Sequence, residues 1–397
     1  MFYVLSIGAG IEHLESILLS KELGYKVIAV DRDKSAVGLK FADISYIIDI
    51  KNEEEIINIA KKYNIKAVLP TPIGRYLSTV GAVNDALNLK GIGKESALKC
   101  VDKVKFNKEM NKKGILCASQ LVAKSKNEII YAINKIGIPC IIKPRFGSGN
   151  RGVRIIYNEY DKNRIISEHL NERGDDDSLI ESQIVGREFG IDAVIYDGIF
   201  KLILVREKTI TEIPYRQETG YICPADIEES LTIKIGKTIE NVCRGINIDN
   251  CLINADIIID KNNKVYIIEL SGRPSGYYIS KKVIPYVTGI NFLKEGLNMV
   301  LNREYNFTVK SNKLVRISFL SDLNHGLHNI PSNEKLKERF NLLDSNINIM
   351  KYDKIDTFTS GKDVYKRGFI LLKGDSYKEM DENLKDIYSY LNSKEKY

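Results

Sequence analysis

The sequence predicts a chain that joins an α/β region to α+β regions: an N-terminal open parallel sheet, a strand-rich centre and a small C-terminal α+β lobe. Residues 1–95 alternate apolar runs with stretches of helical periodicity, which is typical of parallel βαβ units. The middle of the chain contains many short runs rich in Val and Ile, which favours strands. The last segment combines strands with a helix that carries one apolar stripe.

Composition supports a folded protein of several domains. The 397 residues are 44% hydrophobic and 28% charged, which excludes a disordered or collagen-like chain. At roughly 100 to 200 residues per domain, two or three domains are expected. The net charge of +7 comes from scattered basic residues, so we expect no nucleic-acid partner and at most a small anion such as a nucleotide phosphate.

Two further classes of protein are disfavoured by the sequence. No apolar run reaches the roughly 20 residues that a membrane span needs, and no signal peptide is recognisable, so we expect a cytoplasmic protein with no membrane partner. The six cysteines include no Cys-x-x-Cys pair. A disulfide framework and a zinc site are therefore both unexpected.

The first unit of the chain resembles a dinucleotide-binding fold but lacks part of its signature. An apolar strand at 4–7 is followed by a Gly-Ala-Gly turn at 8–10, and a second strand ends at Asp31. The full fingerprint needs a glycine at position 13, where the sequence has His13. An acid at a strand end can also simply face solvent or cap a helix. We therefore predict a Rossmann-like domain over residues 1–95 without a dinucleotide site.

The remaining elements follow in order along the chain. A fourth N-terminal strand is predicted at 67–70 and one helical segment at 94–114. Central strands are predicted at 138–143, 153–157, 179–184, 189–196, 200–205, 254–260 and 264–270. The C-terminal lobe is predicted to contain strands at 314–320 and 368–373 and a final helix capped by Asp375 or Ser376.

A glycine-rich segment lies between the first two central strands. Its sequence at 147–152, Gly-Ser-Gly-Asn-Arg-Gly, matches a dinucleotide fingerprint, but no helix follows to complete a phosphate site. A Walker A motif fails because Val153 stands where lysine is required, and no kinase His-Arg-Asp or Asp-Phe-Gly signature follows. What remains is a glycine hairpin whose backbone N–H groups can close over a polyphosphate. Its candidate contacts are Gly147, Ser148, Gly149 and Gly152.

Ile-Ile-Lys-Pro at 141–144, followed by this hairpin, resembles the nucleotide-binding segment of the ATP-grasp superfamily, as in biotin carboxylase and the carbamoyl-phosphate synthetase large subunit. The resemblance implies a central ATP-grasp fold of two α+β lobes at 96–305, with a flexible lid lobe at about 121–183. Residues 1–95 would be the pre-ATP-grasp domain, and residues 306–397 the small C-terminal lobe.

The same resemblance implies an ATP site. Asp-Lys at 102–103 opens a helical segment, and the segment 179–188 is similar to the hinge between the two lobes of the family. Any one of these charged residues alone would be a solvated surface charge, but their spacing matches the family together. The implied contacts are Lys103 and Lys143 for the phosphates, Glu181, Gln183 and Ile184 for the adenine, and Glu188 for the ribose.

Two acids at the ends of predicted neighbouring strands suit a divalent cation. Asp256 and Glu269 provide hard oxygen ligands, which Mg²⁺ or Mn²⁺ prefers. The resemblance implies that both hold the metal and that Arg273, together with Lys143, stabilises the transferring phosphoryl group. Where the family usually has asparagine, this sequence has Ser271. One metal ion would then be held more weakly, or Asn254 on the same strand face as Asp256 would assist.

The substrate end of the site is the least defined by sequence. The polar segment 214–221 resembles the variable loop by which ATP-grasp ligases meet the acyl substrate, although such a segment also fits a simple connector. Candidate substrate contacts are Arg216, Glu218, Arg273, Ser275 and Gly276.

The resemblance implies an ATP-dependent, ADP-forming carboxylate–amine ligase. ATP and Mg²⁺ or Mn²⁺ would activate a small carboxylate as an acyl phosphate, and an amine would then form an amide or peptide bond between small molecules, amino acids being the expected class. A thiol or ammonia acceptor stays open, as does a homodimer. The alternative is an ATP-dependent carboxylase or carbamoyl-phosphate-type enzyme that activates bicarbonate. A nucleotide-sensing module is the third class considered. Such a protein would lack the two metal-binding acids, whereas this sequence has Asp256 and Glu269.

Overall fold

The computed structural model describes residues 2–147, 152–211, 217–320, 327, 329, 331–348 and 362–393. Its strands are Tyr3–Ile7 (β1), Lys26–Asp31 (β2), Ile44–Ile47 (β3), Gln120–Ala123 (β4), Cys140–Pro144 (β5), Arg154–Ile156 (β6), Ser178–Ser182 (β7), Arg187–Tyr196 (β8), Ile199–Ile210 (β9), Glu218–Cys223 (β10), Cys251–Ile259 (β11), Val265–Ser271 (β12), Val315–Ser318 (β13), Leu342–Ile347 (β14) and Gly368–Lys373 (β15).

The α-helices are Leu14–Glu22 (α1), Glu53–Lys62 (α2), Leu77–Leu87 (α3), Lys94–Val101 (α4), Lys103–Lys112 (α5), Lys126–Ile136 (α6), Glu159–Arg173 (α7), Glu229–Gly245 (α8), Ile284–Thr288 (α9), Phe292–Val300 (α10), Asn333–Arg339 (α11), Lys362–Arg367 (α12) and Tyr377–Asn392 (α13). Within the described ranges, no helix combines the length and the apolar composition needed to cross a membrane.

The N-terminal region forms a three-stranded parallel sheet in the order β1-β2-β3, as the alternating pattern predicts. The amphipathic helix α2 buries Ile56 and Ile59 against it. The predicted fourth strand at 67–70 is reduced to a single parallel bridge between Leu5 and Val68. The strand stops there because Pro70 has no backbone N–H to continue the ladder.

A four-stranded antiparallel sheet in the order β4-β7-β5-β6 is the second layer. Helices α6 and α7 pack on it, and the apolar side chains form a cluster separate from the main core, which includes Ile129, Ile142, Ile166 and Ile180. This sheet covers most of the stretch predicted as the lid lobe. The sequence did not indicate β4, because four residues are too few to show a clear alternation.

The third sheet has eight antiparallel strands in the order β12-β11-β8-β9-β10-β13-β15-β14. Strands from the predicted C-terminal lobe extend this sheet, because β13 pairs with β10 in the register Tyr221 to Ile317. The C-terminal strands therefore share a sheet with the centre of the chain. Strands β10 and β14 were absent from the sequence prediction, and β13, β15 and α13 lie where it placed them.

The predicted helical segment at 94–114 is interrupted in the structure. Asp102 adopts an extended backbone conformation, so α4 ends there and α5 begins at the next residue. The Asp102 carboxylate accepts hydrogen bonds from the backbone N–H groups of Val104 and Lys105, which makes it the N-cap of α5. The same carboxylate accepts two bonds from Arg145, at 2.9 and 2.7 Å. This break places Lys103 at the first helical position, facing the second sheet.

Candidate active site

A cleft lies between the four-stranded and the eight-stranded sheets. Its walls combine apolar side chains such as Ile141, Val153 and Ile268 with charged ones. Seven of the residues predicted from the sequence line it: Lys103, Lys143, Glu181, Ile184, Glu188, Asp256 and Glu269.

Two lysines, Lys103 and Lys143, line one part of the cleft. Lys103 Nζ donates to the carbonyl oxygens of Arg145 at 3.4 Å and Gly147 at 3.1 Å. Burial, and after it the positive charge of Lys143, lowers the pKa of Lys103 to about 8, against the opposing effect of Glu269. Two ammonium groups held close together in a buried cleft favour a multivalent anion such as a polyphosphate.

Glu181 is the principal partner of Lys143. Lys143 Nζ lies 2.6 Å from Glu181 Oε2, and Gln120 Nε2 donates to the other oxygen at 2.6 Å. Both oxygens of Glu181 are therefore used within the protein. Gln183, in the loop after β7, has a buried side-chain oxygen with no hydrogen-bond partner among the described residues. Ile184 and Glu188 reach the cleft from the same loop and from β8.

The ends of the glycine hairpin are described, whereas Ser148 and Gly149 lie outside the described residues. Gly147 and Gly152 both have positive φ angles, 152° and 74°, which glycine adopts without steric strain. The carbonyl oxygen of Gly152 lies 3.3 Å from Nδ1 of the buried His169, and Nε2 of that ring lies 3.0 Å from Ser178 Oγ. Burial lowers the pKa of His169 to about 4, so the neutral ring donates to Gly152 and accepts from Ser178.

The two predicted metal acids are direct neighbours across the sheet. Asp256 on β11 is paired in register with Glu269 on β12. Burial raises the pKa of Asp256 to about 6; the nearby Lys208 lowers it and the negative charge of Glu269 raises it. Ser271 stands opposite Asn254 in the same ladder.

The donor set fits Mg²⁺. In the described part of the chain, no three acidic, histidine or cysteine side chains converge as a ready-made metal cage. Mg²⁺ does not require one, because it is commonly held by one or two carboxylates while phosphate and water complete its shell. Asp256 and Glu269 provide two such carboxylates, and their mutual repulsion is a reason for a cation to bind between them.

A buried network behind the acids was not predicted from the sequence. Arg206 on β9 is 2% exposed and pairs with Asp192 on β8, with Nε 2.6 Å from Oδ2. Its Nη2 donates to Asn254 Oδ1 and to Ser275 Oγ, each at 3.1 Å, and Ser275 Oγ lies 2.7 Å from Asn254 Oδ1. Ser275 Oγ also lies 2.5 Å from Asp192 Oδ1, and because a hydroxyl has one proton it donates either to Asp192 or to Asn254.

The N-terminal turn does not form a dinucleotide site. The two carboxylate oxygens of Asp31 accept from the backbone N–H groups of Ala9 at 2.8 Å and Asp33 at 2.9 Å. The ring of His13 packs under Gly8, where a β-carbon would lie 2.3 Å from Nε2. The acid is engaged in holding its own loop, and the imidazole fills the space that a third glycine would leave open.

Comparison with known proteins identifies the central region. A family model described as an ATP-grasp domain matches residues 136–282, and a model described as a PylC-like N-terminal domain matches residues 3–92. Residues 136–282 therefore form an ATP-grasp domain. Residues 136–282 include all the predicted site positions except Lys103.

Curated relatives are similar over part of their length. The chain is 26% identical to the C-terminal section of the carbamoyl phosphate synthase large chain of Methanopyrus kandleri over 314 residues, which is 75% of this chain and 56% of that protein. It is 23% identical to alanine–anticapsin ligase of Bacillus subtilis over 248 residues, 56% of this chain and 52% of that one. The chain thus spans about half the length of these relatives.

Solved structures share the whole fold. The L-amino acid ligase of Bacillus licheniformis superposes with a TM-score of 0.81 at 19% identity, covering 98% of this chain and 97% of that one. Phosphoribosylglycinamide synthetase of Anaerococcus prevotii superposes with a TM-score of 0.71 at 22% identity, covering 98% of both chains. At these identities the similarity establishes the ATP-grasp architecture.

The loop after β12 contacts the N-terminal region. Arg273 Nη1 donates to the carbonyl oxygen of Pro274 at 2.8 Å, and its buried Nε has no partner among the described residues. The Glu12 carboxylate accepts from the backbone N–H of Tyr277 at 2.9 Å. A β-carbon at Gly276 would lie 2.8 Å from Glu12 Oε1, so a larger residue there would require the carboxylate to shift. Sequence reasoning missed Glu12, because its partner is far along the chain.

Replacing Glu12 with glutamine will change how stability depends on pH. Burial raises the pKa of Glu12 to about 7 from 4.5, so the folded protein retains a proton that the unfolded chain releases. Stability therefore falls as pH rises between these values, and the neutral amide avoids that loss. We expect E12Q to equal the wild type in free energy of unfolding at pH 4.5 and to exceed it at pH 8, measured by urea unfolding.

The control is E54Q, which changes an exposed glutamate on α2. We expect its difference from the wild type to be the same at both pH values. A constant difference between E12Q and the wild type from pH 4.5 to pH 8 would show that Glu12 does not titrate in this range.

Proposed function

We propose that this chain is an ATP-dependent, ADP-forming carboxylate–amine ligase that makes an amide or peptide bond between small molecules through an acyl phosphate. The observation that carries the proposal is that one cleft is lined by two lysines, Lys103 and Lys143, and by two paired acids, Asp256 and Glu269. The overall likeness to an L-amino acid ligase supports amino acids as the substrate class.

ATP would bind with its phosphates at the lysines. Lys103, Lys143 and the backbone of Gly147 and Gly152, with Ser148 and Gly149 between them, would bind the polyphosphate. The adenine would lie at Glu181, Gln183 and Ile184, and the ribose at Glu188. Because Glu181 and Lys143 neutralise each other at 2.6 Å, nucleotide binding has to exchange this ion pair for contacts with the ligand. The buried free oxygen of Gln183 is an acceptor that the ligand could use.

Asp256 and Glu269, with Ser271 beside them, would hold Mg²⁺ or Mn²⁺, which when bound neutralises phosphate charge and orients the reacting groups. The protein itself contributes fixed positive charge and exclusion of water. Lys143 and Arg273 would stabilise the negative charge that develops on the transferring phosphoryl oxygens. The acyl phosphate would form beside Arg273, and the lobe of residues 121–183 would shield it from water until the amine attacks.

The substrates would meet at the loop after β12 and at β10. Glu218 lies on β10 and shares the Lys208 ammonium group with Asp256. Ser275 and Gly276 would contribute from the loop after β12. Because Ser275 is engaged by Arg206, we assign it a supporting role, in which its loop and the guanidinium of Arg273 contact the carboxylate. Arg216, from the segment 214–221, would also contribute, but it lies outside the described residues. The proposed domains are residues 1–95, 96–305 and 306–397.

A second candidate is an enzyme that activates bicarbonate. The similarity to the carbamoyl phosphate synthase section favours it, and the ATP site described above would serve it equally well. The two candidates differ in the acceptor that is needed for turnover. A ligase requires an organic acid together with an amine, whereas a bicarbonate-activating enzyme turns over with bicarbonate.

The test is release of ADP and phosphate from Mg-ATP in the presence of amino acids and small carboxylates, added singly and in pairs, under bicarbonate-free conditions. We expect release that requires one acid and one amine, with an equal amount of amide found by mass spectrometry. Release with bicarbonate alone would support the second candidate. Release with none of these additions would contradict both, and K143A serves as the inactive control.

A further inference from the structure

Lys208 is a buried cation that neither the sequence motifs nor the proposed ATP contacts use. It lies on β9, its side chain is 4% exposed, and it lines the cleft beside the acid pair. Its Nζ lies 2.6 Å from Asp256 Oδ2 and 2.7 Å from Glu218 Oε1. The lysine therefore connects a proposed metal ligand with a proposed substrate contact.

Lys208 and a metal ion would compete for the same carboxylate, that of Asp256. A divalent cation and an ammonium group on one buried carboxylate repel each other strongly, since the surroundings screen charge poorly. Lysine is the residue suited to yield, because its ammonium is a point charge on a flexible four-carbon stem. Glu218 remains as its second partner on the neighbouring strand and keeps the charge inside the cleft.

We propose that Lys208 is a catalytic residue of the proposed ligase, which neutralises Asp256 in the metal-free protein and, once a divalent ion occupies that carboxylate, binds the oxygens of the transferring phosphoryl group. This inference rests on the proposed function. In the transfer step a substrate carboxylate oxygen forms a bond to the terminal phosphorus while the bond to the ADP oxygen breaks. Lys208 keeps its proton throughout and donates hydrogen bonds to the phosphoryl oxygens.

The position of Lys208 supports this role over a purely structural one. Lys103, Lys143 and Lys208 are the basic residues among the described residues that line the cleft. Lys143 pairs with Glu181 and Lys103 donates to backbone carbonyl oxygens, whereas Lys208 contacts the acid pair directly through Asp256. Arg273 lies in the loop after β12 and donates to the carbonyl oxygen of Pro274. A group that only held the sheet together would not need to reach the cleft.

The experiment compares metal binding with turnover in K208M. Binding of Mn²⁺ to the nucleotide-free protein is measured at pH 8 from the electron paramagnetic resonance signal of free Mn²⁺. Because the competing ammonium is removed, we expect Mn²⁺ to bind K208M at least about fivefold more tightly than the wild type. In the ADP-release assay we expect kcat to fall by about 10² to 10³, with KM for ATP changed less than about threefold.

The matched control is K201M, a lysine on the same strand that does not line the cleft, and we expect it to match the wild type in both measurements. K208Q, whose amide can still hydrogen-bond to Glu218, is the second variant if K208M does not fold, and the same results are expected from it. Rescue of part of the turnover in K208R would support the role of the positive charge.

Weaker or unchanged Mn²⁺ binding in the folded lysine variants would overturn the competition, and an unchanged kcat would overturn the catalytic role. These results are separate from the proposed function. If the wild type releases no ADP with any acid and amine, the ligase proposal fails and the catalytic role fails with it, whereas the Mn²⁺ comparison still decides whether Lys208 competes for Asp256.

Discussion

Glu269→Gln is expected to lower the turnover of ADP formation by about 10³-fold with little effect on folding, because preorganised charge stabilisation at the transferring group is lost. Glutamine has the shape of glutamate, but its neutral amide is a weak ligand for Mg²⁺. Glu269 lies directly opposite Asp256 in the sheet, so the remaining carboxylate would have to hold the metal alone. Turnover is measured by ADP release, and metal binding by Mn²⁺ titration.

One control and one expected change in pKa define the result for Glu269. E240Q changes a surface glutamate on α8, paired with Arg244, and should retain full turnover. In E269Q the pKa of Asp256 should also fall, since the negative charge of Glu269 contributes to raising it. Turnover of E269Q within tenfold of the wild type would remove Glu269 from the metal site.

Arg206→Met is expected to lower the free energy of unfolding by about 3 to 5 kcal/mol, as is typical when one partner of a buried ion pair is removed. Asp192 is fully buried and would be left without its counter-charge. Asn254 and Ser275 would also lose the hydrogen bonds from the guanidinium. The measurement is equilibrium unfolding in urea at pH 7, followed by circular dichroism.

The comparison for Arg206 uses a solvent-accessible pair on the same two strands. Arg187 on β8 bonds to Glu207 on β9, and half of its side chain is exposed. R187M should cost less than about 1 kcal/mol, because exposed ion pairs contribute little. In the double variant R206M/D192L much of the loss should be recovered, since no unpaired charge remains. Equal losses in the free energy of unfolding for R206M and R187M would show that the buried ion pair of Arg206 stabilises the fold no more than an exposed one.

The sequence predicts the parts of the site that depend on local motifs. Lys143 precedes a glycine hairpin, and Glu181 and Glu188 share one short segment, so neighbours along the chain identify them. Asp256 and Glu269 end two strands that follow each other, and the structure pairs them as expected for consecutive strands. Their roles stay proposals, whereas their placement around one cleft is observed.

The residues that the sequence did not indicate depend on contacts between distant strands. Arg206 and Lys208 fall just beyond the end of the strand predicted at 200–205. A charged residue at the end of a strand is usually expected to be exposed to solvent, so the sequence offered no reason to place them in a site. In the structure β9 continues to Ile210, and its partners β8 and β10 supply the acids that hold both cations. Glu12 depends in the same way on Tyr277, which no local pattern reveals.

The pairing of β13 with β10 means that the last quarter of the chain cannot be removed without opening the central sheet. A chain cut after α10 would leave β10 with a row of unpaired backbone groups, and such an unprotected margin invites pairing with other molecules and aggregation. Glu218 lies on that same strand. Exchanging C-terminal segments between related enzymes would therefore disturb the substrate end of the cleft before it altered the nucleotide end.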